Sequence, residues 1–440
     1  MRAPMIWLYR LAFLPLLLLA LPYYVLRMLR RGGYSDGFSH RFGRIVTPPK
    51  TPGVKRIWIQ AVSVGELGAV EPLLRLFKTR RDIEVVLTTT TSTGYKIARD
   101  KLAPLVAATG IFPLDFWLFN RAAWRRIEPD LVVLMEGELW PEHLHRARAT
   151  GTPVALINAR LSDRSFSRYR KVRPLAARLL GRLDAVLAGT QSDLGRLREL
   201  GVPVERSSCS GNLKCDVDVG APVTEAERCE LFAELFGEKV APGERPPVIL
   251  GSSTWPGDEA MLIDTYTAAR AAGIPVRLLI VPRHAERRAE INALLEKLPA
   301  RRYLRSRFNP APFPADIVIA DTTGELRRLS RAADLAFIGK SLPPNEGGQT
   351  PIECAMLAIP QVFGPAMSNF RDISRSLAAL GAARRVNDAS EAKAELLRLL
   401  RDTPARAFMG VRAAEWSRAN RGATKRTMDA LMGLLSGPSR

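Results

Sequence analysis

The sequence predicts an α/β protein built from two doubly wound parallel-sheet domains behind an amino-terminal apolar helix. Three observations carry that reading. Short, nearly continuous Val/Ile/Leu runs alternate with helix-length amphipathic stretches; the alternation stops once and restarts; and an uncharged stretch, "LAFLPLLLLALPYYVL" from Leu11 to Leu26, opens the chain between arginines. Apolar runs separated by helices mark a parallel sheet covered on both faces. At 440 residues, 47% of them hydrophobic, the chain is long enough for two or three domains with real cores.

Taken in order, residues 1–31 form the first element. The apolar stretch is shorter than the roughly 20 residues of a comfortable span, has no small-x-small cleavage site, and is followed by Arg27, Arg30 and Arg31, a retention signal. It reads as a membrane anchor that leaves the rest of the chain on the cytoplasmic side. Residues 32–220 then carry a basic segment, "RRGGYSDGFSHRFGRI", and the runs "RIWIQAV", "IEVVLTTT", "GIFPLD", "DLVVLME", "TPVALIN" and "DAVLAGT". Residues 221–246 are polar, contain Pro and Gly and have little strand signal, so they read as a linker, with "DVD" at 216–218 as spacer beside it. The rhythm resumes over 247–390 with "PPVILGSST", "IPVRLLIVP", "DIVIAD", "DLAFIGK" and "IPQVFG". Residues 391–440 read as Arg-rich helices that brace the domains. Paired sheets of this kind bind ligands at the carboxyl ends of their strands.

A formal net charge of +21 favours polyanionic partners: nucleic acid, anionic lipid or phosphorylated substrates. No aromatic-basic recognition motif supports nucleic acid. Cys209, Cys215, Cys229 and Cys354 show neither zinc spacing nor a disulfide framework. His143 and His145 are two apart and read as surface residues. No P-loop, no G-x-G-x-x-G after the first strand and no G-x-S-x-G elbow are present, which disfavours an ATPase, a dehydrogenase and an α/β hydrolase.

The unusual polar residues sit where strands end. "SVGE" turns at Gly65 and places Glu66 in the first turn of a helix, where a dipole-favoured cap and a general base are both open readings. "EGELWP" brings Glu136 and Glu138 directly off a buried strand, and "GNLK" puts Lys214 on a Gly-Asn turn. In the second series, "GSSTWPGDE" suits an anion or a plain Ser/Thr cap. Pro282-Arg283 offers a guanidinium fork for an oxyanion. Thr323-Gly324-Glu325 and Gly347-Gly348 followed by Thr350-Pro351-Ile352-Glu353 form strand-to-helix turns that suit a nucleotide, or ordinary turn chemistry. An acid on one sheet and nucleotide-shaped loops on the other is the layout of a two-domain glycosyltransferase.

With these residues in place the chain resembles the 3-deoxy-D-manno-octulosonic acid (Kdo) transferases of lipopolysaccharide synthesis. The motifs run in order from "HRFG" at His40 through "SVGE", "TSTG", "EGELWP", "INARLSDRS", "GNLK", "VPRHAER", "DTTGEL" and "GGQTPIE" to "GPAMSNFRDI". The resemblance implies a GT-B fold, inverting transfer of Kdo from CMP-Kdo to a lipid A precursor (lipid IVA), and a place on the cytoplasmic face of the inner membrane. It implies Glu66 as general base, Glu136 and Lys214 as transition-state stabilisers, and Pro282, Arg283, Thr323, Gly324, Glu325, Thr350, Pro351, Ile352 and Glu353 as the CMP site. CMP-Kdo is a substrate, so no cofactor is implied, and no D-x-D stands at a strand end of the second domain to call for a metal. Three positions leave the pattern: Gln60 stands where the family often has His, Gln349-Thr350 replaces His-Asn, and Lys340 replaces a second Gly. Two other readings are another nucleotide-sugar transferase or epimerase of the same fold, and a non-catalytic membrane-bound scaffold. The sequence sets neither the number of Kdo residues transferred nor an oligomeric state.

Overall fold

The Val/Ile/Leu runs form strands buried on both faces, as expected. The strands of the first unit are β1 (Lys55–Gln60), β2 (Ile83–Thr89), β3 (Ala108–Ile111), β4 (Leu131–Met135), β5 (Val154–Ala159), β6 (Ala185–Ala188) and the short β7 (Ser207–Cys209). All pair in parallel, in the order β3-β2-β1-β4-β5-β6-β7. In the second unit, β8 (Val248–Thr254), β9 (Arg277–Pro282), β10 (Arg302–Leu304), β11 (Ile317–Ile319), β12 (Leu335–Ile338), β13 (Gln361–Phe363) and β14 (Ala383–Arg385) pair in parallel as β10-β11-β9-β8-β12-β13-β14. This computed structural model describes residues 3–31, 35–220, 223–296 and 298–437. The chain divides into Met1–Asp218 with Arg421–Arg440, and Val219–Asn420. Two seven-stranded parallel sheets in separate α/β units are the GT-B type of architecture.

Successive strand residues face opposite sides of the sheet, and the first unit uses both. Ile57, Ile59, Leu131 and Val133 pack with Leu67, Val70, Leu73, Leu74 and Phe77 of helix α2 (Val64–Lys78) and with Ala423, Met428 and Leu431 of the last helix. Trp58, Val132 and Leu134 face Trp124, Ile127 and Leu144 on the other side. The reversal of strand order between β1 and β4 makes the loops after those two strands diverge to opposite faces, which opens a crevice at the carboxyl edge. In the second sheet the same reversal falls between β8 and β12.

Several expectations change. The apolar amino-terminal segment is part of a longer helix, α1 (Ala3–Arg31), in which Ile6–Leu26, 21 residues, is long and apolar enough to cross a membrane. The side chains of Arg27, Arg30 and Arg31 lie outside the described residues, as do Ala221 and Pro222 of the expected linker. The rest of that stretch is no loose spacer: Thr224 and Glu227 close a capping box on the helix Glu225–Phe236, which buries Phe232 and Phe236 in the second unit. The closing helices divide, with 391–420 in the second unit and 421–440 in the first. His143 is fully buried rather than on the surface; its Nδ1 accepts a bond from Trp124 Nε1 at 3.1 Å, and Trp58 and Phe112 pack edge-on against the ring.

Asp216, read as spacer, has a structural task. Its carboxylate accepts from the backbone N–H of Gly422 at 2.7 Å and from that of Thr424, at the start of the helix Ala423–Ser436. That helix begins on Gly422 without a side-chain cap of its own, so Asp216 supplies one from 206 and 208 residues away. Asp216→Ala will leave two helix-start donors without this acceptor and lower the stability of the first unit by about 1–3 kcal/mol. Urea unfolding followed by the fluorescence of Trp58 and Trp124 will report a reduced midpoint.

Candidate active site

The first-unit residues converge on the crevice because of where their strands end. β1 leads through Ala61–Ser63 into α2, and Ser63 caps it: its Oγ accepts from Glu66 N at 3.3 Å. The Glu66 carboxylate reaches back, Oε2 accepting from Val62 N at 2.8 Å and Oε1 from Ser63 Oγ at 3.0 Å. Ser-Val-Gly-Glu is thus a variant of the capping box, and the helix-cap reading is correct. It leaves the chemistry open, since each carboxylate oxygen keeps a lone pair beyond its single bond. Thr89 Oγ1 holds the turn from below by donating to Val62 O at 3.0 Å.

Glu66 is only 7% exposed. Burial pushes its carboxyl up to about 7, the negative charge of Glu136 adds to the rise, and the bonds from Val62 and Ser63 partly oppose it. Glu138, off the same loop as Glu136, contributes in the same direction and is itself raised, chiefly by burial. A carboxyl near neutrality exchanges a proton at physiological pH, as a general base requires.

Glu136 behaves differently. Burial works against its charge, but the Lys214 ammonium and the Arg160 guanidinium outweigh it and hold the carboxyl below the ordinary range. Lys214 Nζ donates to Oε1 at 2.9 Å, and Arg160 stands 3.7 Å from Oε2. Glu136 takes a left-handed backbone, φ 55°, as β4 ends, a strained conformation of the kind that concentrates at functional sites. Lys214 is aimed by a polar chain: Asn158 Oδ1 accepts from Leu213 N at 3.1 Å, and Asn212 Oδ1 accepts from Lys214 N at 3.0 Å. The lysine that looks isolated in sequence is therefore half of an ion pair spanning 78 residues. Arg160 was not singled out as a site residue, although it lies within the quoted "INARLSDRS".

Gln60 is fully buried at the end of β1, its amide donating to Thr90 Oγ1 at 2.9 Å and accepting from Thr88 Oγ1 at 2.7 Å. Its role is to join β1 to the segment after β2.

In the second unit Pro282 is buried at the end of β9 and Arg283 is exposed just beyond it, with Arg283 N bonded to Thr254 O at 3.1 Å. The Arg283 guanidinium makes no ion pair among the described residues. Trp255 follows β8, with the His284 ring edge-on at 5.4 Å and the Lys340 ammonium 4.2 Å above its face. Asp258 ties these loops together, one oxygen accepting from both Trp255 N and Lys340 N at 2.8 Å. Burial pushes its carboxyl up to about 7. The helix Asp258–Ala271 therefore starts on an aspartate and not on the serines and threonine before it.

The loop from Gly347 folds back on Lys340: Gly348 N donates to Lys340 O at 3.1 Å and Gln349 N to Gly339 O at 3.0 Å. Gly347 and Gly348 have φ of 99° and 68°, which only glycine adopts readily. Thr350 Oγ1 accepts from Ile352 N at 3.3 Å, and Pro351 precedes the short helix Ile352–Met356. The two glutamates expected at the nucleotide are already engaged. Glu325 accepts twice from buried Arg305 at 3.0 Å and also bonds Thr322, and these contacts hold it below the ordinary range. Glu353 stands 3.7 Å from Arg327. Thr323 and Gly324 remain as the open part of their turn, with nothing within 4 Å of a side chain built at Gly324. Among the described residues no cluster of three or more His, Cys, Asp or Glu is arranged to hold a metal.

The family described as 3-deoxy-D-manno-octulosonic-acid transferase (kdotransferase) matches residues 36–217. The 3-deoxy-D-manno-octulosonic acid transferase of Bordetella pertussis is 35% identical over 415 residues, covering 92% of this chain and 94% of that protein. The Haemophilus influenzae enzyme of the same name is 28% identical over 424 residues, covering 96% and 94%. In fold the chain is similar to UDP-GlcNAc 2-epimerase from Neisseria meningitidis bound to UDP-GlcNAc, with a TM-score of 0.56, 13% identity, and coverage of 86% of this chain and 100% of that one. The chain belongs to the Kdo transferase family, the glycosyltransferases that add 3-deoxy-D-manno-octulosonic acid in lipopolysaccharide biosynthesis.

Proposed function

We propose that this Kdo transferase takes Kdo from CMP-Kdo and delivers it, with inversion, to a lipid A precursor such as lipid IVA. The observation that carries the mechanism is the Glu66 carboxyl, buried and raised to about 7 while both oxygens stay oriented by Val62 and Ser63. As general base it takes the proton of the acceptor hydroxyl while that oxygen attacks the anomeric carbon and the bond to the CMP phosphate breaks. Glu136 stays ionised and holds the Lys214 ammonium in place, and Lys214 and Arg160 supply positive charge for the sugar carboxylate.

The second unit takes the nucleotide. Arg283 offers a free guanidinium to the phosphate, the backbone of Thr323–Gly324 and of Gly347 and Thr350 offers N–H groups, and Pro282, Pro351 and Ile352 shape the walls. Glu325 and Glu353 act here by fixing Arg305 and Arg327 and hence the loops around them. No metal requirement is expected, so transfer measured after EDTA treatment will be retained.

The α1 helix is compatible with a membrane anchor, and we infer a position on the cytoplasmic face of the inner membrane. Exposed apolar side chains along α1 would enter lipid, and basic residues of the helix Asp163–Lys171, among them Arg164, Arg168 and Arg170, would meet anionic headgroups. Vesicles containing anionic lipid will bind the full-length protein more tightly than neutral ones, and the difference will shrink with salt. Equal binding would remove the electrostatic part.

The base role sets a sign for pH. Glu66 accepts a proton only when ionised, so kcat/KM will rise with pH through about 7. Glu136→Gln removes a charge that raises Glu66, so in that variant the acid limb will move to lower pH while the maximal rate falls. Glu66→Gln will lower kcat by roughly 10²–10⁴-fold with little change in the melting temperature. Retained turnover by Glu66→Gln in a CMP-Kdo transfer assay would remove Glu66 from this role.

A further inference from the structure

The loop that carries Glu136 and Glu138 runs straight into the helix Pro141–Thr150, so whatever fixes the start of that helix fixes one end of the loop. At its other end the loop is pinned by Glu136 N, which donates to Ile157 O at 3.0 Å. The helix has no side-chain cap at Trp140. Its first donors, Glu142 N and His143 N, go instead to the two oxygens of Asp115, at 2.9 and 3.0 Å. Asp115 is 2% exposed and Glu142 3%. Two carboxylates are therefore buried side by side at the base of the loop, an arrangement that demands a donor or a cation.

Asn120 Nδ2 donates to Asp115 Oδ1 at 3.0 Å, and the remaining side-chain partners come from α1. Tyr9 Oη donates to Asp115 Oδ2 at 2.9 Å, and Arg10 grips Glu142 in two parallel bonds, Nε to Oε2 at 2.9 Å and a terminal nitrogen to Oε1 at 2.7 Å. Phe13 stacks on Phe116, with centroids 5.7 Å apart, and Ile6 is 2% exposed, so one stripe of α1 at helical spacing lies on the first unit. The other side exposes Trp7, Leu8, Leu11, Leu14, Leu18 and Leu19. Among the described residues, Arg10 is the one cation paired with Glu142.

We propose that Tyr9 and Arg10, acting through Asp115 and Glu142, are positioning residues for the Glu136 loop, which makes the apolar helix part of the scaffold of the transfer site. A passive tether would need only its lipid-facing residues. Here the same helix also closes the charge balance beneath the loop, so a displaced α1 would release the loop from its anchor. This rests on the role of Glu136 proposed above.

The test uses full-length enzyme in detergent micelles with solubilised acceptor and CMP-Kdo, where membrane attachment does not limit the rate. Arg10→Ala should lower kcat roughly ten- to a hundredfold and leave the donor KM unchanged. Adding Glu142→Gln should restore most of the loss, because the neutral amide no longer needs the guanidinium. Leu19→Ala, on the exposed side of α1, should keep the wild-type kcat. Wild-type kcat in Arg10→Ala, or a double variant no better than the single, overturns the proposal. If Arg10→Ala does not fold, Tyr9→Phe decides: at an unchanged melting temperature a severalfold lower kcat supports the clasp and an unchanged kcat overturns it. Glu136→Gln separates the two levels. Wild-type kcat there removes the role of the loop, whereas a low kcat in Glu136→Gln beside a normal one in Arg10→Ala removes the clasp alone.

Discussion

The ion pair between Glu136 and Lys214 is what allows three glutamates to share the carboxyl edge of one sheet. Glu66, Glu136 and Glu138 are close enough to influence one another, and like charges so placed cannot all ionise without compensation. Lys214 and Arg160 neutralise the central one. Glu66 rises toward neutrality chiefly through its burial, and the remaining field of the Glu136 anion adds to that rise. The two acids differ in charge because of burial and of which one has the cation, not because of a difference in residue type.

That arrangement explains what local sequence could and could not show. The central strands were legible because they are buried on both faces and so are almost pure Val, Ile and Leu. β7, β10 and β14, with sequences SSC, RYL and ARR, were not, because each is three residues long at or beside a sheet edge and carries no apolar run. Glu66 was ambiguous for a physical reason: the cap and the base candidate are the same carboxylate, and only the fold shows that it is also buried beside Glu136. Lys214 could be flagged but not paired, since its partner is brought in by the sheet. Local reading misplaced His143 and Asp216, both of which look polar and dispensable in isolation, whereas His143 Nδ1 and the Asp216 carboxylate each bond a distant element.

The second unit applies the same economy with backbone groups. Asp258 gathers the N–H groups of Trp255 and Lys340 onto one oxygen, which joins the loops after β8 and β12 across the point where strand order reverses. Lys340 takes a left-handed backbone, φ 60°, where the family pattern has glycine, and its ammonium over Trp255 gives the strained residue a stabilising contact. A substitution that looks costly at the backbone thus comes with a compensating contact on the facing loop.

The other departures follow a related rule. Gln60 replaces an imidazole at a position that is fully buried and bonded on both sides by threonines, so what the site asks of it is one donor and one acceptor, which an amide supplies. Gln349 bonds the preceding loop through its backbone, and Thr350 accepts the first N–H of the short helix, as an Asn at that place can also do. Each of these residues makes a hydrogen bond that holds a loop. None falls on Glu66, Glu136, Lys214 or Arg283, the charged residues on which the proposed transfer relies.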